Sequence, residues 1–470
     1  MQNIFKLTVT FLLLICLGLT GFTQPVRQNP IPKNWLEKDP LSDSLAGISL
    51  DKAYQLLKGR TSHTVIVAVI DNGVDIQHED LKNVIWTNEK EIPDNGLDDD
   101  NNGYVDDIHG WNFRGTKDGT IVENEQAAST QYWLAWKNRF ENINNTLYIN
   151  KDDGYYSTYL KAKRNYLDKL QSRDSMDIQF LYNVNYHSSQ FIFNDTAYSN
   201  PYYGSPYMKL SPNLSHGTHV SGIIAAQRNN HIGMDGIADN VLIMPIAATT
   251  AGGDERDKDI ANAIRYAVNN GARIINMSFS KLYSSDKAKV DSAIQYAEDK
   301  NVLIIHAAGN DGVNIDSASN DHYPIAIYNN GKRANNFLTV GWNRPLFDYR
   351  LAHPYSDYGY TNVDLFAPGS DIYSTTPNNT YDEKSGSSMS APVVTGIAAL
   401  LLSYFPSLTI YQVKEILIKS VFIPDQMVNM PRTKTLVPFK TLSSSGGIVN
   451  AYRAVKMAID LTTKNTDRLP

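Results

Sequence analysis

Residues 64–75 read TVIVAVIDNGVD, and the way their side chains change character decides the kind of fold. Val65 to Ile70 are apolar at every position, and all but Ala68 are β-branched. A strand with one wet face alternates polar and apolar residues. An unbroken apolar run belongs to a strand covered on both faces, as in a parallel sheet. The run stops at Asp71, and Asn72-Gly73 supplies a turn signal. A carboxylate at the carboxyl end of such a strand stands where open α/β sheets gather their ligands.

The same kind of run recurs as VLIMPIAA (241–248), ARIINMSF (272–279), VLIIHAAG (302–309) and FLTVGW (337–342). Amphipathic segments lie between them, KDIANAIRYAVNNG (258–271) and SDKAKVDSAIQYAEDK (285–300), the first ending in a helix stop. Strand–helix alternation of this kind implies right-handed crossovers. The expected fold class is α/β, a doubly wound, mostly parallel sheet with helices on both faces. Residues 116–212 break the pattern. They are polar, rich in asparagine and crowded with tyrosine, and read as one large insertion, partly helical between 126 and 172. GGIVNAYRAVKMAIDL (446–461) reads as a closing helix, with a tail at 463–470.

The chain opens with Lys6 and an apolar run from Leu7 to Leu19, followed by small and polar residues. Residues 1–23 read as a secretory signal peptide, too short for a comfortable membrane span. Residues 24–47 then form a short N-terminal segment, and 48–462 a single domain. Cys16 is the only cysteine. It is either part of the signal or a lipid anchor, and Ile15 before it is bulkier than lipidation sites want. Cleavage near Thr23 leaves a mature chain without thiols or disulfides and without a membrane span. The destination is then periplasmic, outer-membrane-associated or extracellular. A net charge of −6, with no basic block, excludes a nucleic-acid partner.

Three further stretches put polar groups where a sheet core needs none. SPNLSHGTHVSGIIAA (211–226) contains His216. Taken alone, HGTH is equally a structural helix start. IIHAAGND (304–311) has Asn310 at a strand end, and SGSSMSAPVVTGIAALLL (385–402) places Ser388 where a long apolar helix opens. Helix N-termini favour developing negative charge. Together the four residues supply a nucleophile (Ser388), a base (His216), a carboxylate to orient it (Asp71) and an amide donor (Asn310). His219 reads as a packed neighbour, and Asp75 and Asp80 as turn or cation-site residues.

The chain order Asp, His, Ser separates this arrangement from the two other common hydrolase orders. Each motif resembles those of the subtilisin-like serine proteases: VAVIDNGVD the aspartate motif, HGTHVSGIIAA the histidine motif, GSSMSAP the serine motif. INMSF and AAGN resemble the strands flanking that family's substrate cleft. The resemblance covers about 48–115 and 213–460. It implies a secreted serine endopeptidase that works through an acyl-enzyme and an asparagine oxyanion hole, needs no organic cofactor, and acts on protein or peptide substrates. It also implies that small residues after His216 let a buried helix pack closely, with Ser215 as its cap.

By the same resemblance an extended peptide lies between Ala251-Gly252-Gly253 and Ser278-Phe279-Ser280, adding a strand. Ala307, Ala308 and Gly309 line the pocket for the residue before the scissile bond. Ser280 stands where the family usually has glycine, and GSSMS replaces the commoner GTSMA. Asp254, Glu255 and Asp257 read as a solvated loop or as a wall favouring basic substrate residues. The competing class is a binding protein whose tyrosine-rich insertion captures a partner.

PDNGLDDDNNGYVDDIHGWNF (93–113) is the metal candidate. Asp98, Asp100, Asn102 and Asp106 are spaced like the oxygen ligands of a calcium loop, with Gly103 at the sharp turn and no final glutamate. Hard oxygen donors favour calcium in a structural role. The alternative is a turn held by Asx hydrogen bonds.

Overall fold

In the computed structural model the described residues are 30–114, scattered helical positions between 130 and 167, 202–207, 215–249, 255–318, 320 and 322–466. The chain divides into two compact units, Met1–Pro32 and Lys33–Pro470. Every described strand and helix belongs to the second unit. The leader with Cys16, most of the insertion, Ala251, Gly252, Gly253, Asp254 and the end of the tail lie outside the described residues.

Seven strands form one sheet: β1 (Val65–Asp71), β2 (Trp111–Asn112), β3 (Val241–Ala247), β4 (Ile274–Met277), β5 (Leu303–Ala307), β6 (Phe337–Asn343) and β7 (Leu365–Pro368). Their order is β2-β3-β1-β4-β5-β6-β7, and each neighbouring pair is parallel. From β1 the chain runs to the edge at β2, comes back to β3 beside β1, and then crosses to place β4 on the other side. The order therefore reverses beside β1, and a crevice opens there at the strands' carboxyl ends.

The helices are α1 (Leu50–Leu57), α2 (Ser215–Ala225), α3 (Asp257–Asn269), α4 (Lys287–Asp299), α5 (Ser387–Tyr404), α6 (Ile410–Lys419) and α7 (Ala451–Thr466). Alternate side chains of β1 point to opposite faces. Val65, Val67 and Val69 join a core built with α1, α2, α5, α6 and α7, while Ala68 and Ile70 join one built with α3 and α4. This is the doubly wound α/β architecture expected. Among the described residues α5 alone is long and apolar enough to cross a membrane, yet 89 % of it is buried inside the protein. It is apolar all round because it lies between the sheet and other helices.

Three features differ from the sequence reading. The closing helix starts at Ala451 and reaches Thr466, not 446–461. Gly446 takes φ +68°, and Ile448 makes isolated bridges to Phe366 of β7 and to Phe422, so the residues just before the helix are extended rather than helical. A hairpin of β8 (Ile372–Thr376) and β9 (Thr380–Lys384) lacks an apolar run, because β9 is largely exposed. Its turn carries Asn378 and Asn379 at positive φ, a residue type suited to tight hairpins. A second short hairpin pairs β10 (Met427–Asn429) with β11 (Leu436–Pro438). Around the insertion, Ser205 pairs with Asn112 of the edge strand β2. The described positions between 130 and 167 are helical, and Trp133 stacks on Tyr166 at 4.2 Å.

Candidate active site

Asp71 ends β1 with its side chain buried. Its two carboxylate oxygens lie 2.8 and 2.9 Å from Nδ1 of His216. A carboxylate only accepts, so Nδ1 carries the proton and Nε2 of the neutral ring keeps its lone pair. Asn72 clips the two elements together: its N–H donates to Asp71 Oδ1 at 2.8 Å, and its Oδ1 accepts from Gly217 N–H at 3.0 Å. A Cβ on Gly217 would lie 2.3 Å from the carbonyl oxygen of Gly73, so only glycine lets α2 start this close to β1. Burial pulls the His216 pKa down, but the charge and hydrogen bond of Asp71 outweigh it, against a small opposing field from Lys384. The net shift is upward.

The small residues of α2 have a second neighbour. A Cβ on Gly222 would lie 2.3 Å from Thr375 Oγ1 and 2.4 Å from Ser374 Oγ, both on β8. Those hydroxyls donate to the carbonyls of Thr218 and His219 at 2.8 and 2.7 Å. Ser215, expected as the cap, is itself helical, the first helical position among the described residues of α2. His219 is the packed neighbour expected. Its Nε2 contacts the Asp382 carbonyl at 3.1 Å, and burial pushes its pKa down to about 3. Asp75 accepts from Gln77 and Asn378 N–H groups, and Asp80 from Asn230 Nδ2 and Met234 N–H, which holds two loops.

Ser388 is the second residue of α5. Its hydroxyl donates to the carbonyl of Ser278 at 2.9 Å. Nε2 of His216 has no hydrogen-bond partner among the described residues. Asn310 follows β5 and Gly309. Its Oδ1 accepts from both the N–H and the hydroxyl of Ser387, at 2.9 and 3.1 Å. Two donors on one oxygen fix the amide's orientation and leave Nδ2 as the end able to donate elsewhere. The Ser387 hydroxyl in turn accepts from Gly309 N–H at 3.1 Å. Asn72 and Ser387 do not stand out in the sequence. Adjacency to Asp71 and Ser388 is the only signal they carry.

The walls expected for a substrate leave adjacent strands at one level, since Met277 of β4 pairs with His306 of β5. Ser278 and Phe279 are buried, Ser280 is half-buried, and Ala308 is buried. Gly309 has φ +115°, and a Cβ there would lie 2.2 Å from Asp357 Oδ2, 3.0 Å from His322 Cε1 and 3.1 Å from Ser280 Oγ. Behind the pocket wall, then, stand an acid and a histidine from distant loops. Burial raises Asp357 to about 7 and lowers His322 to about 4. Asp257 does not lie on a solvated loop: it opens α3, is buried and is paired with Lys281 at 2.7 Å.

In the acidic loop the four expected ligands part company. Asp98 accepts from the N–H groups of Asn102 and Gly103, and Asp106 from those of Asn95 and Gly96. Asn102 is shared between Tyr104 N–H and Asp107. Only Asp100 belongs to the group of carboxylates that converge, and its companions are Glu91 and Asp107, with ligand oxygens within 4.8 Å of one another. The hydrogen-bond donors to these three are neutral: main-chain N–H of Asp100, Asn102 and Asp106, the side-chain amides of Asn88 and Asn102, and the Tyr266 hydroxyl. Burial, with Asp100 adding to it, raises Asp107 to about 6 against those hydrogen bonds. Two carboxylates that interact this closely resist joint ionisation. The donor set suits a hard divalent cation.

Comparison with known proteins places these residues in a family segment. Residues 62–452 match the model described as Subtilase family. The chain is 27 % identical over 423 residues to subtilisin-like protease 1 of Plasmodium vivax, covering 87 % of this chain and 50 % of that one. It is 39 % identical over 189 residues to a thermophilic serine proteinase of Bacillus sp. strain AK1, covering 40 % and 43 %. It thus spans about half the length of the curated relatives it matches. Among solved structures, a protease from Pseudoalteromonas arctica shares the fold at a TM-score of 0.53 and 21 % identity, over 90 % of this chain and 97 % of that one.

Proposed function

The chain belongs to the subtilase family, and from that premise we propose that it is an exported serine endopeptidase with Ser388 as nucleophile. The observation that carries the reading is the Asp71–His216 pair at the carboxyl end of β1, 2.8 Å apart. The Ser388 hydroxyl leaves the Ser278 carbonyl and turns to His216 Nε2. As Oγ attacks the scissile carbonyl carbon, Nε2 takes its proton. The imidazolium is stabilised by Asp71 and then protonates the leaving amine, which departs as the acyl-enzyme forms. Water, deprotonated by the same nitrogen, releases the acid and restores Ser388. Asn310 Nδ2 and the N–H of Ser388 hold the oxyanion at each tetrahedral stage. The substrate is a peptide or protein strand laid along 278–280 and 251–253.

Residues 1–23 direct export and are removed, which leaves the mature enzyme beyond the inner membrane. Glu91, Asp100 and Asp107 hold a structural calcium ion. It neutralises the loop that follows the β1 turn and takes no part in the chemical step.

Labelling with a serine-directed phosphonate tests the catalytic reading. The adduct maps to Ser388 and is lost in Ser388→Ala, together with cleavage of a mixed peptide library. An adduct on another residue, or cleavage that survives Ser388→Ala, refutes it.

A further inference from the structure

Pro392 stands inside α5, four residues after Ser388. An α-helix ties each carbonyl to the N–H four residues on, and proline has no N–H to give. The carbonyl left without its helical partner is therefore that of Ser388 itself. The structure fills the gap from the sheet: the Ser278 hydroxyl donates to Ser388 O at 2.8 Å. Asn276 Nδ2 donates to that hydroxyl at 2.9 Å, and Thr395 Oγ1, one turn beyond Pro392, donates to Asn276 Oδ1 at 2.8 Å. Asn276 and Thr395 are fully buried, and Ser278 is 2 % exposed.

The direction of this relay is fixed by chemistry. Thr395 occupies the oxygen end of the amide, so Asn276 presents its NH2 to Ser278. Ser278 accepts there, and its single proton goes to Ser388 O. The two serines thus hold each other, because the Ser388 hydroxyl donates to Ser278 O. When that hydroxyl turns to its base, the bond made by the Ser278 side chain remains.

We propose that the Ser278 hydroxyl is a positioning residue that replaces the N–H missing at Pro392 and fixes the main chain of Ser388. The direction of the Ser388 Cα–Cβ bond, and with it the approach of Oγ to Nε2 and to the scissile carbon, depends on this bond. The role is separate from any contact that the Ser278 carbonyl or pocket wall makes with substrate. It rests on the reading of Ser388 as nucleophile.

The test counts active sites with the phosphonate and expresses turnover per titrated site. Ser278→Ala lowers kcat about tenfold to a hundredfold, leaves KM within about twofold because the wall and carbonyl remain, and keeps the midpoint of the pH profile. Ser278→Thr, which retains a hydroxyl, recovers most of the loss. Pro392→Ala restores an N–H at 392, so in that background Ser278→Ala lowers kcat by less than about threefold. Equal losses in both backgrounds overturn the proposal. So does a Ser278→Ala protein with fewer titrated sites but unchanged kcat per site, the signature of a merely structural hydroxyl. Should Pro392→Ala yield no titratable sites, Thr395→Val interrupts the relay from its far end. It then lowers kcat per site in the same direction, and an unchanged value overturns the proposal. A phosphonate adduct away from Ser388 is a different failure, that of the nucleophile assignment.

Discussion

The crevice beside β1 and the acidic loop after it are both dense in polar groups, but they hold them by opposite means. In the crevice the partners come from far apart in the chain. Asp71 and His216 are 145 residues apart, Ser388 and Ser278 110, Ser387 and Asn310 77. Each side chain projects from a strand end or helix start whose main chain the sheet fixes. In the loop most bonds are short-range, from 2 residues for Asn102–Tyr104 to 19 for Asn88–Asp107. Tyr266, reaching Asp107 from α3, is the exception. Charge follows the same division, for the Asp71 carboxylate faces an imidazole while Glu91, Asp100 and Asp107 face one another. The crevice is therefore a property of the whole fold and acts as a unit, whereas the loop can loosen while the sheet stands.

The largest effects test the first half of that contrast. Ser388→Ala and His216→Ala should each lower kcat by about 10⁵ to 10⁶, and the double variant should be little worse than either single one. Turnover with a peptide substrate measures this, and multiplicative losses would show that the groups do not act as a unit. Asn310→Leu removes one donor and leaves the nucleophile and base in place. It should cost roughly a hundred- to a thousandfold in kcat with KM little changed. Wild-type turnover in that variant would remove Nδ2 from the oxyanion site.

The contrast also explains what could be read from the sequence. The strands of the sheet were legible because β1, β3, β5 and β6 are apolar nearly throughout, which only double burial requires. Asp71, His216, Asn310 and Ser388 stood out because a core sheet has no use for them at those places. Asn72, Ser387 and the Ser278 hydroxyl were not legible. Their significance lies in hydrogen bonds to residues 77 to 145 positions away, which spacing cannot reveal. Residues 98–106 misled for the opposite reason. Their calcium-loop spacing is real, but main-chain N–H groups at 102–103 and 95–96 occupy Asp98 and Asp106, and the carboxylates that converge include Glu91 from outside the motif. The β8–β9 hairpin went unseen because β9, TYDEK, offers no apolar pattern.

The loop should respond to a cation. Calcium that binds only the folded chain, at a hundred times its dissociation constant, adds about 2.7 kcal/mol of stability. In a Ser388→Ala background, which prevents self-digestion, excess chelator should lower the melting temperature. Glu91→Gln with Asp107→Asn should make it indifferent to calcium. Asp98→Ala should act differently: it removes turn bonds, so it should lower the melting temperature with or without calcium. A melting curve unmoved by both calcium and chelator would leave the loop held by its turns alone.

The smallest effects concern the charge on His216. The net upward shift of its pKa means that the imidazolium persists to higher pH than the ordinary 6.5. A base must be neutral, so activity should be full above the shifted pKa and fall on acidification about tenfold per unit below it. The midpoint should therefore lie above that of a free histidine. Lys384, at the end of β9, opposes the shift. Lys384→Gln removes a like charge and favours the imidazolium, so the midpoint should move upward slightly. Lys384 is half-buried at the surface, and salt screens such fields. The difference between wild type and Lys384→Gln should then shrink as ionic strength rises, whereas the Asp71 contribution, buried and hydrogen-bonded, should remain. A midpoint that moves downward in Lys384→Gln, or a rate flat to pH 4 in the wild type, would sever His216 from the role of base.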